Sequence, residues 1–152
     1  MADWIGRVYD QYAAVLYRYA VMLLGSSDGA SDAVHEVFLA LLQRRNKRID
    51  ELSAYLRVAV RNRCYSQLRN GRRSVDNDRP LLEPVSTETD PSLRLVFEAE
   101  LRLLPPEQRE VLHLKVFEGW TFQEIATLSG ESLGTVTSRY RYAVDKLRVR
   151  LK

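Results

Sequence analysis

The chain has 152 residues, 45% hydrophobic and 28% charged, which provides apolar content for one domain or two small ones and excludes disorder throughout. A net charge of only +3 with a pI near 9.1 points to a polyanionic partner if the charge is unevenly spread. It is uneven: residues 1–73 carry +5, residues 74–92 carry −4 and residues 93–152 carry +2.

Apolar periodicity and stop signals predict three helices before residue 71. The first runs from about Trp4 to Leu24 and ends at Gly25, burying Ile5, Val8, Tyr12, Val15, Leu16, Tyr19, Met22 and Leu23. The second runs from about Asp28 to Arg44, with Val34, Val37, Phe38, Leu41 and Leu42 inward and Asp32 and Glu36 outward, one turn apart. The third runs from about Glu51 to Asn70, with Leu52, Leu56, Ala59, Val60 and Leu68 inward. Its outward rows hold Tyr55, Arg57, Arg61, Asn62, Tyr65 and Arg69. Cations alternating with aromatics and an amide suit single-stranded or melted DNA, because rings stack on unpaired bases while arginines track phosphates. Taken alone, the same stripe also fits a solvated arginine-rich face with tyrosines at the rim of a core.

Gly71 to Ser92, GRRSVDNDRPLLEPVSTETDPS, breaks the helical pattern with three prolines, several turn formers and a swing from basic to acidic composition. It reads as a flexible acidic linker over residues 74–91 between domains 1–73 and 92–152. About 18 residues at roughly 3.3 Å each could reach some 60 Å, far enough for the two domains to engage separate sites on one partner. A solvated surface loop between packed halves is the other reading of this stretch.

Beyond the linker, Asp90-Pro91 supplies an N-cap and first-turn proline for a helix to about Leu103. Pro105-Pro106 opens another that runs to Phe117 and closes at Gly119. The stretch from Trp120 to Leu147 then fits a helix-turn-helix at each position where that motif makes a steric demand. Thr121 and Glu124 form a capping box, Ala126 lies where the two helices cross closely, and Gly130 can take the left-handed turn. Ser132 can cap the second helix. Leu133, Val136, Tyr140, Ala143, Leu147 and Leu151 give that helix a buried stripe, and Thr137, Ser138, Arg141 and Arg148 its other face. From Glu131 to the C-terminus six cations face two acids, a surplus that suits phosphate contact. Four helices are expected to close a small core on Leu93, Val96, Phe97, Leu101, Leu104, Val111, Leu112, Leu114, Ile125, Leu128, Val136 and Leu147. The fold class is therefore all-α, two small helical domains with the helix-turn-helix in the second.

Nothing in the chain points to an enzyme. It has no glycine-rich phosphate loop, no metal-ligand cluster and no nucleophile with a suggestive base, and His113, within an apolar helix, reads as structural. No metal and no cofactor is expected. The single cysteine, Cys64, and two histidines 78 residues apart build neither an internal disulfide nor a zinc site. That composition suits a reducing compartment, and the sequence MADWIGRVYDQ has no apolar core of signal-peptide type. No run is long enough to span a bilayer, so a cytoplasmic protein without membrane insertion is expected.

Four motifs in order carry a family resemblance over almost the whole chain. They are Ser31-Asp32-Ala33-Val34-His35-Glu36-Val37-Phe38, then Tyr55-Leu56-Arg57-Val58-Ala59-Val60-Arg61-Asn62 with a basic tail, then Leu103-Leu104-Pro105-Pro106-Glu107-Gln108-Arg109-Glu110-Val111-Leu112, then Gly134-Thr135-Val136-Thr137-Ser138-Arg139. This succession resembles the extracytoplasmic-function group of bacterial sigma factors. The resemblance implies a transcription initiation factor that joins core RNA polymerase through its largest-subunit clamp coiled coil and its flap. Such a factor reads the minus-35 element of promoter DNA with its C-terminal domain, and opens and reads the minus-10 element with its N-terminal one. An anti-sigma factor is implied as a further partner. Position by position, Asp32, His35 and Glu36 fall where such factors dock on the clamp, although both acids also suit ordinary local pairing on a helix surface. Tyr55 and Asn62 fall at positions that face the melted strand, with Tyr65 in the same stripe and Arg57, Arg61 and Arg69 adding phosphate contacts. The loop Arg45 to Asp50 falls where the family captures a flipped base. Thr137, Ser138 and Arg141 fall on the recognition-helix face, with Arg139 and Tyr142 adjacent on backbone or support.

Three positions depart from the family pattern. His35 replaces a usual glutamine, Ser66 an acid or amide, and Thr137 a common Lys or Arg. Loss of a guanidinium that bonds two guanine acceptors costs about 1–3 kcal/mol of discrimination at one base pair, so the minus-35 preference is not transferable from relatives. Two other functions fit parts of the chain: a stand-alone helix-turn-helix regulator with an N-terminal dimerisation domain, and a sigma-like decoy that sequesters an inhibitor. The first leaves the Tyr55–Arg69 stripe without a role, and the second predicts a recognition helix stripped of cations, unlike this one.

Overall fold

A computed structural model describes residues 2–44, 51–71, 81 and 91–151, and these residues contain seven α-helices and no strand. The chain divides into two compact units, Met1–Arg79 and Pro80–Lys152.

In the first unit, α1 (Ala2–Leu24), α2 (Ser27–Gln43) and α3 (Leu52–Arg69) pack pairwise against one another. The core is made by Val8, Leu16, Tyr19, Ala20, Met22 and Leu23 of α1, Val34, Val37, Phe38 and Leu41 of α2, and Leu56, Val60 and Cys64 of α3. Gly25, with φ +68°, turns the chain out of α1 in a conformation that side-chain-bearing residues avoid. Ser26 then caps α2, its hydroxyl accepting the Gly29 amide at 3.1 Å, so this helix begins slightly before the expected Asp28. Leu42 is half exposed rather than inward. The buried seam of α2 runs through Val34, Val37 or Phe38, and Leu41, and the next residue points about 100° away from it.

Gly29 explains how closely α2 and α3 approach. A β-carbon there would lie 2.8 Å from Gln67 Oε1, while Gln67 Nε2 donates to the Gly29 carbonyl at 3.1 Å. Burial of the Gln67 amide is thus matched by a hydrogen bond to backbone.

In the second unit, α4 (Pro91–Leu103), α5 (Pro106–Leu112) and α6 (Phe122–Ser129) surround the long α7 (Leu133–Arg150). The expected single helix to Phe117 instead changes pitch: His113–Phe117 forms a π turn, with the Glu118 amide on the His113 carbonyl at 3.2 Å. Gly119, at φ +74°, then releases the chain toward α6. His113 is buried there, its Nε2 2.8 Å from Glu118 Oε2. Buried Arg109 donates from Nη1 to the carbonyls of Arg102 and Leu104 at 3.1 and 2.9 Å, satisfying acceptors that the end of α4 leaves open.

The core contains Leu101, Leu104, Val111, Leu112, Leu114, Ile125, Ala126, Val136, Ala143 and Leu147. Four expected members are outside it: Leu93 at 64% and Val96 at 49% exposure, because only the C-terminal half of α4 reaches this core, and Phe97 and Leu128, which are half-buried at its rim. Leu133 and Leu151 are exposed as well, since they lie at the ends of α7, beyond the reach of the covering helices.

Candidate nucleic-acid interface

The helix-turn-helix is built from its caps. Glu124 Oε1 accepts the Thr121 amide at 2.8 Å and Thr121 Oγ1 accepts the Glu124 amide at 3.1 Å, closing both halves of the box. Hydrogen bonding to the carboxylate from the Thr121 backbone amide first, and from the Thr121 side chain second, holds the Glu124 carboxyl below its ordinary pKa. Gly130 turns at φ +72° and ψ +17°, the left-handed cap its position requires. Ser132 Oγ accepts the Thr135 amide at 3.1 Å and starts α7. Ile125 and Ala126 are buried with Val136, Ala143 and Leu147, which fixes the rotation of α7 about its axis.

That rotation determines what α7 offers outward. Thr137, Ser138 and Arg141 share one face at helical spacing, and Arg141 reaches back to Ser138 Oγ at 3.4 Å. The Thr137 hydroxyl donates to the Gly134 carbonyl at 3.1 Å and is engaged within its own helix. Arg139 lies to one side, 3.5 Å from Glu131, and Tyr142 is exposed. Phe122 meets Tyr140 edge to face at 5.3 Å between centroids, with Lys115 Nζ 4.4 Å from the Phe122 ring, so aromatic packing buttresses α6 on α7.

The second surface lies on α3. Tyr55, Asn62, Tyr65 and Arg69 fall in one outward row with Val58, at spacings of three and four, while Arg57, Val60, Cys64 and Gln67 form the inner row. The expectation that Arg57 belongs to the outward stripe is corrected. It is only 6% exposed, and its guanidinium lies 4.5 Å from the centroid of the buried Tyr19 ring. Its register matches the core seam exactly where its charge suggests solvent, and cation–π contact makes that burial tolerable. Arg61 stacks on Tyr65 at 4.5 Å, Asn62 and Arg69 are exposed, and Tyr55 contacts Arg44 of α2. Val58, 41% exposed, stands between Tyr55 and Asn62. Its signal was the three-and-four spacing of its neighbours, obscured by its apolar character.

Asp32, His35 and Glu36 share the outer face of α2, where Asp32 and His35 are exposed. Glu36 is held by Arg63 of α3 at 3.1 Å. Beside His35, a groove of about 360 Å³ opens between α1 and α2, with Tyr9, Asp10 and Tyr17 around a floor of Ala13 and Ala14. The loop Arg45 to Asp50 and the linker 74–91 lie outside the described residues, apart from Leu81 and the first residue of α4. Among the described residues no group of three His, Cys, Asp or Glu could hold a metal ion, and no helix is long and apolar enough to cross a membrane.

A small helical domain that exposes a capped recognition helix, together with a three-helix domain carrying an aromatic and cationic row, defines a DNA-binding transcription factor. The family models for sigma-70 region 2 and sigma-70 region 4 match residues 8–74 and 101–149. The chain is 34% identical over 154 residues to the ECF RNA polymerase sigma factor SigL of Mycobacterium tuberculosis, covering 95% of this chain and 87% of that one. It is 34% identical over 146 residues to the ECF sigma factor EcfG of Rhodopseudomonas palustris, covering 91% and 81%. In fold it is similar to the sigma factor RpoE of Bartonella quintana, solved in complex with the anti-sigma factor NepR, at a TM-score of 0.74 and 24% identity over 99% of this chain and 98% of that one. The chain belongs to the extracytoplasmic-function sigma factors of the sigma-70 family. It is a non-enzymatic initiation factor that directs RNA polymerase to promoters.

Proposed function

We propose that the two units divide promoter reading between them, with residues 92–152 on the minus-35 duplex and residues 1–73 on the polymerase and the melted minus-10 strand. The carrying observation is the outward face of α7, Thr137, Ser138 and Arg141, opposite a seam of Val136, Ala143 and Leu147. An α-helix of this kind fits the major groove, where Arg141 can take a base edge or a phosphate and the two hydroxyls can bond to either. Arg139 and Tyr142 flank that face and suit the sugar-phosphate backbone.

On α3, Tyr55 and Tyr65 offer rings to unpaired bases, Asn62 offers a donor and acceptor to a base edge, and Arg61 and Arg69 offer charge to phosphates. Capture of an unpaired strand favours the melted state, because binding energy gained only after opening offsets the loss of pairing and stacking. Arg57 has no place in this surface, since its guanidinium is committed to Tyr19. Asp32, His35 and Glu36 form the docking face for a basic surface of the polymerase, in the cytoplasm where the polymerase works. An anti-sigma factor is proposed as the regulatory partner, in keeping with the complex known for the Bartonella quintana relative.

The test is initiation by purified core polymerase on a genomic promoter library, with transcripts sequenced in the presence and absence of the protein. Promoter-specific starts that appear only with the protein are expected. Starts identical to those of core polymerase alone would refute the proposal.

A further inference from the structure

We infer that Arg44 forms a phosphate subsite for single-stranded DNA at the α2 end of the α3 surface, an assignment that rests on the single-strand role of that surface. Arg44 is the C-cap residue of α2, where its amide bonds to the Leu41 carbonyl at 3.2 Å, so its backbone is fixed. Its guanidinium lies over the Tyr55 ring, 4.9 Å from the centroid, and Nη1 donates to the Tyr55 hydroxyl at 3.2 Å. Nε is buried and makes no hydrogen bond.

Several other cations are already neutralised by carboxylates. Arg63 is paired with Glu36, Arg139 with Glu131 and Arg150 with Glu100, whereas no described carboxylate pairs with Arg44. A guanidinium has five donors in a planar fork, and a neutral phenol engages only one of them here. The natural complement of such a fork is a phosphate, which accepts two parallel bonds and supplies the missing negative charge. Rotation about the terminal torsions of the side chain turns the fork off the ring and brings Nε to the same phosphate.

The geometry also links this step to base binding. The ring that stores the guanidinium is the one proposed to stack on a base, so release of Arg44 to a phosphate uncovers the π face of Tyr55. Backbone capture and base stacking at this end of α3 are then one event. The fixed C-cap and the exposed Arg69, about 14 residues and 21 Å further along the row from Tyr55, place a cation toward each end of the strand path.

The test uses the full chain bound to core polymerase and a fluorescein-labelled single strand spanning the minus-10 region of a promoter at which the complex initiates. Anisotropy titrations run over a series of salt concentrations. Arg44→Gln is expected to weaken binding about tenfold at low salt, the effect of one charge-assisted bond. It is also expected to lower the slope of log K against log salt by about 0.7, the value for one phosphate on a single strand. Arg44→Lys, which keeps the charge, is expected to retain the slope. Unchanged affinity in Arg44→Gln, or a loss with the slope unaltered, would overturn the assignment, the latter by showing that Arg44 merely supports Tyr55. Asn62→Ala separates the two levels: if it weakens binding while Arg44→Gln does not, only the subsite falls. If neither variant binds differently, the single-strand surface falls with it.

Discussion

The guanidinium of Arg57 lies 4.5 Å from the centroid of the fully buried Tyr19 ring, joining α3 to α1 by a cation inside the core of the first unit. A charge removed from water this far depends on its partners, and truncation leaves both a cavity and an aromatic face without its cation. Arg57→Ala is expected to destabilise the unit by about 2 kcal/mol in urea unfolding. The single-strand affinity of the folded fraction is expected to keep its salt dependence, because Arg57 touches no phosphate; a shallower salt slope would contradict its structural role.

The closeness of Gly29 to Gln67 gives a prediction with a sign. Gly29→Ala gains helix propensity of about 1 kcal/mol but drives a β-carbon against Gln67 Oε1 and disturbs the bond to the Gly29 carbonyl. A net loss of about 1 kcal/mol is expected from the unfolding midpoint. In a Gln67→Ala background the same substitution is expected to become neutral or stabilising, since the obstructing amide is gone. Equal losses in both backgrounds would place the strain elsewhere.

The capping box of α6 makes the second unit sensitive to acid. The Glu124 pKa is lowered by its bonds to Thr121, so its contribution is present above the unfolded-state pKa and is lost as pH falls through the lower folded-state value. Glu124→Gln should therefore flatten the acid limb of the stability curve at carboxylate pH. Thr121→Ala is expected to cost about 1 kcal/mol by the same measurement near neutrality, and a variant of wild-type stability would argue against the cap.

Arg141 and Asn62 belong to different units and are expected to fail differently. Arg141→Ala should lose about 1–3 kcal/mol of discrimination across minus-35 variants in transcription assays while leaving minus-10 preference intact. Asn62→Ala should do the reverse and slow promoter opening. The same pattern of defects in both would contradict two separate readers.

The Glu36 carboxylate, proposed to dock on the polymerase, is paired with Arg63 in the free chain. An exposed pair of this kind contributes at most about 1 kcal/mol, so Arg63→Ala should leave the unfolding midpoint nearly unchanged. Freeing the carboxylate is expected to tighten core polymerase binding up to about fivefold in a titration, within that same limit. Weaker binding in Arg63→Ala would show instead that Arg63 orients Glu36 for docking.

Much of this architecture was legible because its causes are local. Thr121, Glu124, Gly130 and Ser132 act within a few residues of themselves, and each takes the role its type and position demand. The helices followed from apolar spacing, and the Ser26 cap moved the start of α2 ahead of that spacing. The charge of Arg57 argues for solvent while its register places it in an apolar seam, and the register wins. Leu93 and Val96 stay outside the core because amphipathic spacing identifies a face of α4 without telling how far along the helix a partner extends. The π turn at His113–Phe117 had no local signal, since one extra residue per turn leaves no mark in composition.

By itself, then, the chain determined its helices, its helix-turn-helix and the residue types available for nucleic acid, since these depend on backbone preference and short-range periodicity. Tertiary structure alone decided which of those side chains are free to bind. Arg57 is taken up by Tyr19, Glu36 by Arg63, Gln67 by Gly29, and the Arg44 guanidinium waits on Tyr55. Each of these pairs joins residues on different helices, and their meeting depends on how those helices cross.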